Sequence, residues 1–400
     1  MECVILAGGM GTRLRSVVSE LPKCMAPVAG KPFLHYIVET LGAFGFDHII
    51  FSLGYKHECI EEWIGELQAS GACRALPKLD YVVETEPLGT GGGVRYAFSK
   101  AREESVFVLN GDTFFDVDFM EMMELHNASR AMATVALKPM RDFERYGTVG
   151  LGDDGIHVTE FREKQHCEAG LINGGVYLIR RSALDALPQK FSMEKDFFEK
   201  VVGGGRIAGY VSDGYFIDIG IPEDYARAQE DFAAGLYKRY DTLFLDRDGV
   251  INVQIVGDYV RRPEQLRFID GALEALALLA PLFARIVVVT NQRGVTKGLM
   301  SGADLEDVHS HMLSAVEAAG GRIDRIYCCT GMDCSDPRRK PNIGMFEEAR
   351  ADWPQMDLPR CFMVGDQPSD MEFAERAGLV GIPVSSRYTL LDFARELCAS

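Results

Sequence analysis

Val4-Ile5-Leu6-Ala7-Gly8-Gly9-Met10-Gly11-Thr12-Arg13-Leu14 decides how the first half of this chain is read. Val4 to Leu6 form a short buried strand, and the glycines after it let the backbone turn sharply. Such a turn brings main-chain N–H groups close to a polyphosphate, and Arg13 adds a forked donor for phosphate oxygens. On its own, a glycine-rich turn after a strand is as often plain structure as function. Its meaning depends on what the rest of the chain supplies.

Outward from this stretch, apolar runs alternate with helical periodicity. Phe33, Leu34, Ile37, Leu41 and Phe44 repeat at helix spacing, while Ile49-Ile50-Phe51 and Val106-Phe107-Val108-Leu109 read as strands. The alternation predicts a mainly parallel sheet flanked by helices, whose ligands sit beyond the carboxyl ends of the strands. Gly8 to Arg13 and Asn110-Gly111-Asp112 both fall there. Asp112 and Asp218, each at a strand end, offer carboxylates to Mg²⁺ ions bridging phosphates. Lys23, after Leu21-Pro22, offers a second positive charge. A lone Asp is more often a helix cap or a surface carboxylate.

The second half repeats the pattern. Leu243-Phe244-Leu245, Ile286 to Val289, Ile323 to Cys328 and Cys361 to Val364 read as strands, and Leu273, Leu276, Ala280 and Phe283 as one helix face. Three strands end in polar motifs: Asp246-Arg247-Asp248, Thr290-Asn291-Gln292 and Gly365-Asp366. Asp246 suits attack on phosphorus to give an aspartyl-phosphate, and Asp248 suits proton transfer to the leaving oxygen and from the attacking water. Carboxylates gathered around a phosphate need a cation, so Asp246, Asp248 and Asp366 form an expected Mg²⁺ site. Thr290 and Lys340 would meet phosphate oxygens. Asp-x-Asp alone is an ordinary turn; with Thr290, Lys340 and Asp366 in place, a phosphate site is the stronger reading.

Bulk properties bound the partners. Four hundred residues suit two domains, and 47% hydrophobic residues give each a core. A formal charge of −17 argues against nucleic acid and anionic membranes. No basic n-region or cleavage site is read in the first residues, so no signal peptide is expected, and no run approaches the ~20 apolar residues that span a bilayer. Ten scattered Cys suit a reducing cytoplasm. The expected domains are residues 1–234 and 240–400, with Gly235 as a helix stop and no long linker. Oligomeric state is left open.

In the first half, Leu6 to Leu14 with Pro22-Lys23, Glu86-Pro87-Leu88-Gly89-Thr90-Gly91-Gly92, Asn110-Gly111-Asp112, Asn173-Gly174-Gly175 and Asp218-Ile219-Gly220 together resemble the sugar-1-phosphate nucleotidylyltransferases. Within them the likeness is to the D-glycero-D-manno-heptose 1-phosphate guanylyltransferases. The resemblance implies a Rossmann-like domain in which Leu6, Ala7, Gly8, Gly9, Gly11, Thr12 and Arg13 hold a nucleoside triphosphate, with Lys23 near the reacting centre. It places Glu86 and Gly91 near base and ribose, Asp112 and Asp218 on Mg²⁺, and Gly147, Glu160, Lys164 and Asn173 on the sugar phosphate. Cys24 and Ile221 depart from the family's usual Pro and Thr.

In the second half, Phe244 to Asn252, Val289 to Val295 and Arg339-Lys340-Pro341-Asn342 resemble the haloacid dehalogenase superfamily phosphatases, near the heptose bisphosphate and histidinol-phosphate phosphatases. The intervals between the motifs leave no room for a cap domain. Asn291, Arg293 and Arg339 are candidates for a distal phosphate or sugar hydroxyls. Lys297 reads more readily as surface charge. Many relatives carry a zinc loop; here Cys328, Cys329 and Cys334 lack the His and the spacing, so zinc is not expected. Together the two resemblances imply an enzyme that removes the far phosphate of a heptose 1,7-bisphosphate and then joins the 1-phosphate to GMP from GTP, giving GDP-heptose. The alternative is a hexose-1-phosphate nucleotidylyltransferase, such as one for mannose 1-phosphate, fused to a histidinol-phosphate-type phosphatase.

Overall fold

A computed structural model describes residues 1–9, 14, 17–18, 20–69, 77–162, 165–333 and 335–399. The chain divides into two compact units, Met1–Tyr237 and Lys238–Ser400.

The first unit begins β1 (Glu2–Leu6), a small hairpin β2–β3 (Pro27–Val28, Lys31–Pro32), α1 (Phe33–Ala43), β4 (His48–Leu53), α2 (His57–Ala69), β5 (Lys78–Val83), α3 (Gly89–Ala97) and β6 (Ser105–Asn110). It continues β7 (Thr113–Phe115), α4 (Phe119–Ser129), β8 (Ala133–Phe143), β9 (Thr148–Leu151), β10 (Val158–Phe161), β11 (Cys167–Arg180), α5 (Glu199–Val201), β12 (Ile207–Val211), β13 (Phe216–Asp218) and α6 (Pro222–Ala234). The described strands pair in the order β10-β9-β11-β6-β1-β4-β5, with β8 on β11 and β12 on β8. β6, β1, β4 and β5 run parallel, as the βα alternation demands, and β11 joins β6 antiparallel. Cys3, Ile5 and Phe51 turn to one face of the sheet and Val4 and Ile50 to the other, so each apolar run is buried on both sides. Because β1 and β6 are in register, Leu6 lies beside Asn110, and the Gly8 and Asp112 turns leave the sheet together.

The helix stop lies at Gly235, whose φ of 74° suits glycine. Tyr237 then stacks on Phe232 at 4.3 Å between ring centroids, with Tyr36 and Phe114 edge-on to both.

The second unit runs β14 (Tyr240–Leu245), α7 (Ala272–Leu279), β15 (Phe283–Asn291), α8 (Gly302–Ala318), β16 (Arg325–Cys329), α9 (Gly344–Asp352), β17 (Phe362–Gly365), α10 (Pro368–Ala377), β18 (Val380–Pro383) and α11 (Leu390–Ala399). Its strands form a wholly parallel sheet, order β16-β15-β14-β17-β18. Two expectations are corrected. Phe283 opens β15 instead of closing the helix, which ends at Leu279. A further strand, β18, closes one edge; it is short, holds Gly381 and Pro383, and is largely exposed despite Val380 and Ile382, so it lacks the signature of a buried strand. Between Asp248 and Thr290 lie a short 3₁₀ turn, α7 and most of β15; between Thr290 and Lys340 lie α8 and β16.

Candidate active sites

The first site is organised by a lysine. Gly111 donates its N–H to Leu6 O at 2.9 Å, tying the ends of β1 and β6 together. β7 and β13 pair so that Asp218 lies opposite Thr113, and Ile219 N–H donates to Asp112 O at 3.1 Å. The two aspartates therefore meet, and Lys23 Nζ sits between them, 2.6 Å from Asp112 Oδ2 and 3.1 Å from Asp218 Oδ1. Gly220 leaves room for this meeting: a Cβ there would lie 2.9 Å from both Lys23 Nζ and Asp218 Oδ1 and would push them aside. Two carboxylates already converge on one cation, a donor set of the kind a hard dication takes.

Other expected residues are placed less directly. Gly8 packs its backbone on Gly54, while Gly9 is open. Gly11, Thr12, Arg13 and Lys164 lie outside the described residues. Glu86 is exposed in the loop before α3. Gly91, in the first turn of α3, lies under the Phe191 ring; a Cβ would come within 2.1 Å of it. Asn173 Oδ1 accepts from Gly175 N–H at 3.0 Å and its Nδ2 donates to the Tyr177 hydroxyl, shaping an irregularity in β11. Glu160 pairs with Arg162, and Gly147 is half-buried just before β9. Sequence reasoning missed Tyr146, whose phenol is pushed up to about 12 by burial and then by the Asp218 charge. It also missed Arg145, which pairs with Asp224. Cys24, behind Lys23, is a buried thiol pushed up to about 12 by burial and then by Asp112.

The second site is deeper. Lys340 Nζ lies 2.9 Å from Asp246 Oδ1 and 2.7 Å from Asp370 Oδ1. Burial works against the Lys340 charge, and the two carboxylates outweigh it, holding the amine above its ordinary value. Burial pushes Asp246 up to about 6, with Lys340 opposing and Asp370 adding to the rise. Asp246, Asp366 and Asp370 each turn an oxygen to within 4.8 Å of the others. Asp366 Oδ1 is buried with no hydrogen-bond partner. Three carboxylates against one ammonium leave a buried excess of negative charge, and a dication would balance it. The donors present fit Mg²⁺.

Asp248, expected on that metal, turns its carboxylate elsewhere. It accepts from Arg247 at 2.9 Å, Asn252 Nδ2 at 2.8 Å and Gln292 Nε2 at 2.7 Å. The carboxylate that joins Asp246 and Asp366 is Asp370, four residues beyond Asp366 and inside the first turn of α10. Arg247, although charged, is 0% exposed and also reaches His309 Nε2 at 3.2 Å. Asn291, expected on sugar, instead braces the backbone of Lys340 through both ends of its amide. Arg339 is buried and reaches Gly331 O at 3.5 Å, which makes it a loop brace as well. Arg293 is half-buried, and Lys297 lies over the Tyr259 ring. Thr290 is buried beside Gln292, which donates to its hydroxyl at 2.9 Å. Gly249, at φ 93°, lets Asp366 close over the loop, since a Cβ would meet Asp366 Oδ2 at 2.3 Å. Cys328 and Cys329 are neighbours in β16 and so point to opposite faces; burial raises both thiols, Cys328 to about 11. Cys334 lies outside the described residues.

Comparison with known proteins decides the family. Residues 2–235 match the nucleotidyl transferase family. The chain belongs to that family. Residues 337–389, which carry Lys340, Asp366 and Asp370, match the HAD-hydrolase-like family, so the nucleotidyl transferase unit is followed by a HAD-like one. The nucleotidyl transferase unit is similar to D-glycero-alpha-D-manno-heptose 1-phosphate guanylyltransferase of Aneurinibacillus thermoaerophilus, with 50% identity over 233 residues, covering 58% of this chain and 98% of that protein. It is also similar to the crystal structure of HddC from Yersinia pseudotuberculosis, at 37% identity and a TM-score of 0.52, covering 58% of this chain and 99% of that one. A further similarity, at 28% identity and a TM-score of 0.37, is to the D,D-heptose 1,7-bisphosphate phosphatase of B. bronchiseptica, covering 39% of this chain and 97% of that one. No helix among the described residues is long and apolar enough to cross a membrane.

Proposed function

We propose that the chain is a bifunctional enzyme of nucleotide-activated heptose synthesis in the cytoplasm. Its HAD-like unit takes D-glycero-D-manno-heptose 1,7-bisphosphate to the 1-phosphate. Its nucleotidyl transferase unit joins that product to GMP from GTP, giving GDP-D-glycero-α-D-manno-heptose and pyrophosphate. The observation that carries the reading is the pairing, in one chain, of a unit 50% identical to a heptose 1-phosphate guanylyltransferase with a buried Asp246–Lys340–Asp370 constellation whose charges suit phosphomonoester chemistry. A sugar 1-phosphate is the molecule that both can share.

In the HAD-like unit, Asp246 is the nucleophile on phosphorus and Lys340 holds it against the incoming phosphate. Asp248, fixed by Arg247, Asn252 and Gln292, protonates the leaving sugar oxygen and then takes a proton from water as the aspartyl-phosphate is hydrolysed. Thr290 offers its hydroxyl and N–H to phosphate oxygens. Asp246, Asp366 and Asp370 would hold Mg²⁺, which supplies charge neutralisation for the transferring phosphoryl group.

In the nucleotidyl transferase unit the sugar 1-phosphate is already a nucleophile, so no general base is needed. Gly8, Gly9, Gly11, Thr12 and Arg13 would cradle the triphosphate, with Glu86 and Gly91 at base and ribose. Lys164, Asn173, Gly147 and Glu160 would meet the sugar phosphate. Lys23, Asp112 and Asp218 define the reacting centre, where the two carboxylates would hold Mg²⁺ and Lys23 would be released toward phosphate oxygens. The test is a substrate screen. Heptose 1,7-bisphosphate, and separately mannose 1-phosphate, is supplied with GTP, ATP, UTP or dTTP, and phosphate, pyrophosphate and nucleotide-sugar are followed. Phosphate release with no GDP-sugar, or preference for mannose 1-phosphate, sinks the reading.

A further inference from the structure

At the end of β6 opposite Asp112 lies an open polar cleft, about 500 Å³, where β6 begins and β11 ends. Arg95, Arg102 and Arg181 line it together with Phe98, Ser99 and Ser182. Two carboxylates, Glu104 and Asp185, also line it, yet among the described residues no salt bridge joins them to these arginines. Arg181 spends one Nη on Ala101 O at 3.1 Å, while its Nε is buried with no hydrogen-bond partner. A buried donor without an acceptor is costly and rare in native proteins. In a chain of formal charge −17, three guanidiniums against two carboxylates leave this lining with a net positive charge, and none of the three is ion-paired among the described residues; Arg95 donates only to Leu187 O. Forked guanidiniums with nearby hydroxyls match the oxygens of a phosphate, and the volume is that of a small-molecule site.

We propose that this cleft binds a phosphate-bearing small metabolite and that its occupancy is felt at the Gly89–Gly93 turn. The link is Phe191. Arg95 lies 5.7 Å over the Phe191 ring, and the same ring covers Gly91. Phe191 O accepts from Gly91 N–H at 3.0 Å and Gly92 N–H at 3.3 Å. Arg95 already lines the cleft and donates to Leu187 O, so an anion that competes for its guanidinium would shift it against the ring of Phe191, the residue that fixes the first turn of α3. The binding half of this inference is independent of the proposed function; the coupling half rests on assigning that turn to the nucleotide.

The test compares the full chain with its Arg102→Gln/Arg181→Gln double variant and with Arg102→Gln alone, whose exposed side chain is not needed for folding. Equilibrium dialysis with inorganic phosphate, pyrophosphate and glucose 6-phosphate counts bound equivalents, and the three probes tell a bare anion site from one that needs a sugar. The wild type should bind one equivalent more than the double variant for at least one probe, and Arg102→Gln should weaken it roughly tenfold. Equal stoichiometry and affinity for all three probes overturns the site. For the coupling, a bound probe should shift the GTP KM about fivefold in the wild type and not in the double variant. An equal shift in both, or none in either, means competition at the catalytic site or no link, and overturns it.

Discussion

Both units place a lysine between two aspartates, and they do so at very different depths. Around Lys23 the Asp112 and Asp218 side chains are 37% and 26% exposed; around Lys340, Asp246 and Asp370 are 12% and 1% exposed. The difference follows from what each lysine must allow. A nucleotidyl transfer site admits two large anions and never bonds to them, so its charges stand at an open strand edge. A nucleophile on phosphorus, the role proposed for Asp246, must shed water before it attacks, and the burial that raises Asp246 would be the cost of that shedding. Under the proposed roles, the same three-residue theme would serve positioning in one unit and covalent chemistry in the other.

The largest effects should come from breaking each triad separately. Asp246→Asn should cut phosphate release about 10³-fold or more and leave GDP-sugar formation from heptose 1-phosphate intact. Asp112→Ala should do the reverse, with a loss of about 10²–10³-fold. If either folded variant loses both activities, the two triads do not act independently and the comparison fails. Chelation by EDTA should silence both activities, with Mg²⁺ restoring each; a phosphatase that survives chelation would remove the metal from the deeper site alone. Next in size, Asp248→Asn should cost about 10²–10⁴-fold in phosphatase kcat. Gly249→Ala should destabilise the second unit by about 1–3 kcal/mol, because the new Cβ meets Asp366 at a positive φ. Thermal melts of the variant would show this.

The smallest expected effect is one the units share. Burial and then Arg180 push His126 down to about 4 from 6.5; burial and then Arg247 do the same for His309. Both imidazoles are neutral when folded and take up protons on unfolding, so each unit should lose stability as pH falls from 6.5 toward 4. Trp63 and Trp353, one per unit, allow the units to be watched separately through Trp63→Phe and Trp353→Phe. Urea midpoints that are flat between pH 7 and 5 in both would contradict the shared sensitivity.

Much of this was legible in the sequence because parallel sheets carry their chemistry at strand ends. Reading Val4-Ile5-Leu6 and Leu243-Phe244-Leu245 as strands was enough to place Gly8 and Asp246 at sheet edges. What stayed hidden depends on three-dimensional satisfaction of charge. Asp370 looks like a helix cap, and it is one, accepting from Gln367 N–H at 3.0 Å; only its other oxygen reveals the bond to Lys340. Asp248 reads as a metal ligand until Gln292 and Asn252 are seen to claim both its oxygens. Arg247 gave no signal, since a charged residue beside two aspartates is expected in water rather than in the core. Phe283 was misread because apolar spacing continued from α7 straight into β15.

The seam between the units has a consequence for how such a chain is assembled from parts. Tyr237 belongs to the aromatic stack of the first core, and Tyr240 already packs on Phe283 and Phe362 in the second, at 5.0 and 5.2 Å. Lys238 and Arg239 alone lie between them. A genetic joint or a cut displaced by a few codons in either direction would strip a ring from one core or the other, and the two residues between are themselves held, their carbonyl oxygens accepting from Arg360, so the seam leaves no spare residue at which two genes could be fused or parted.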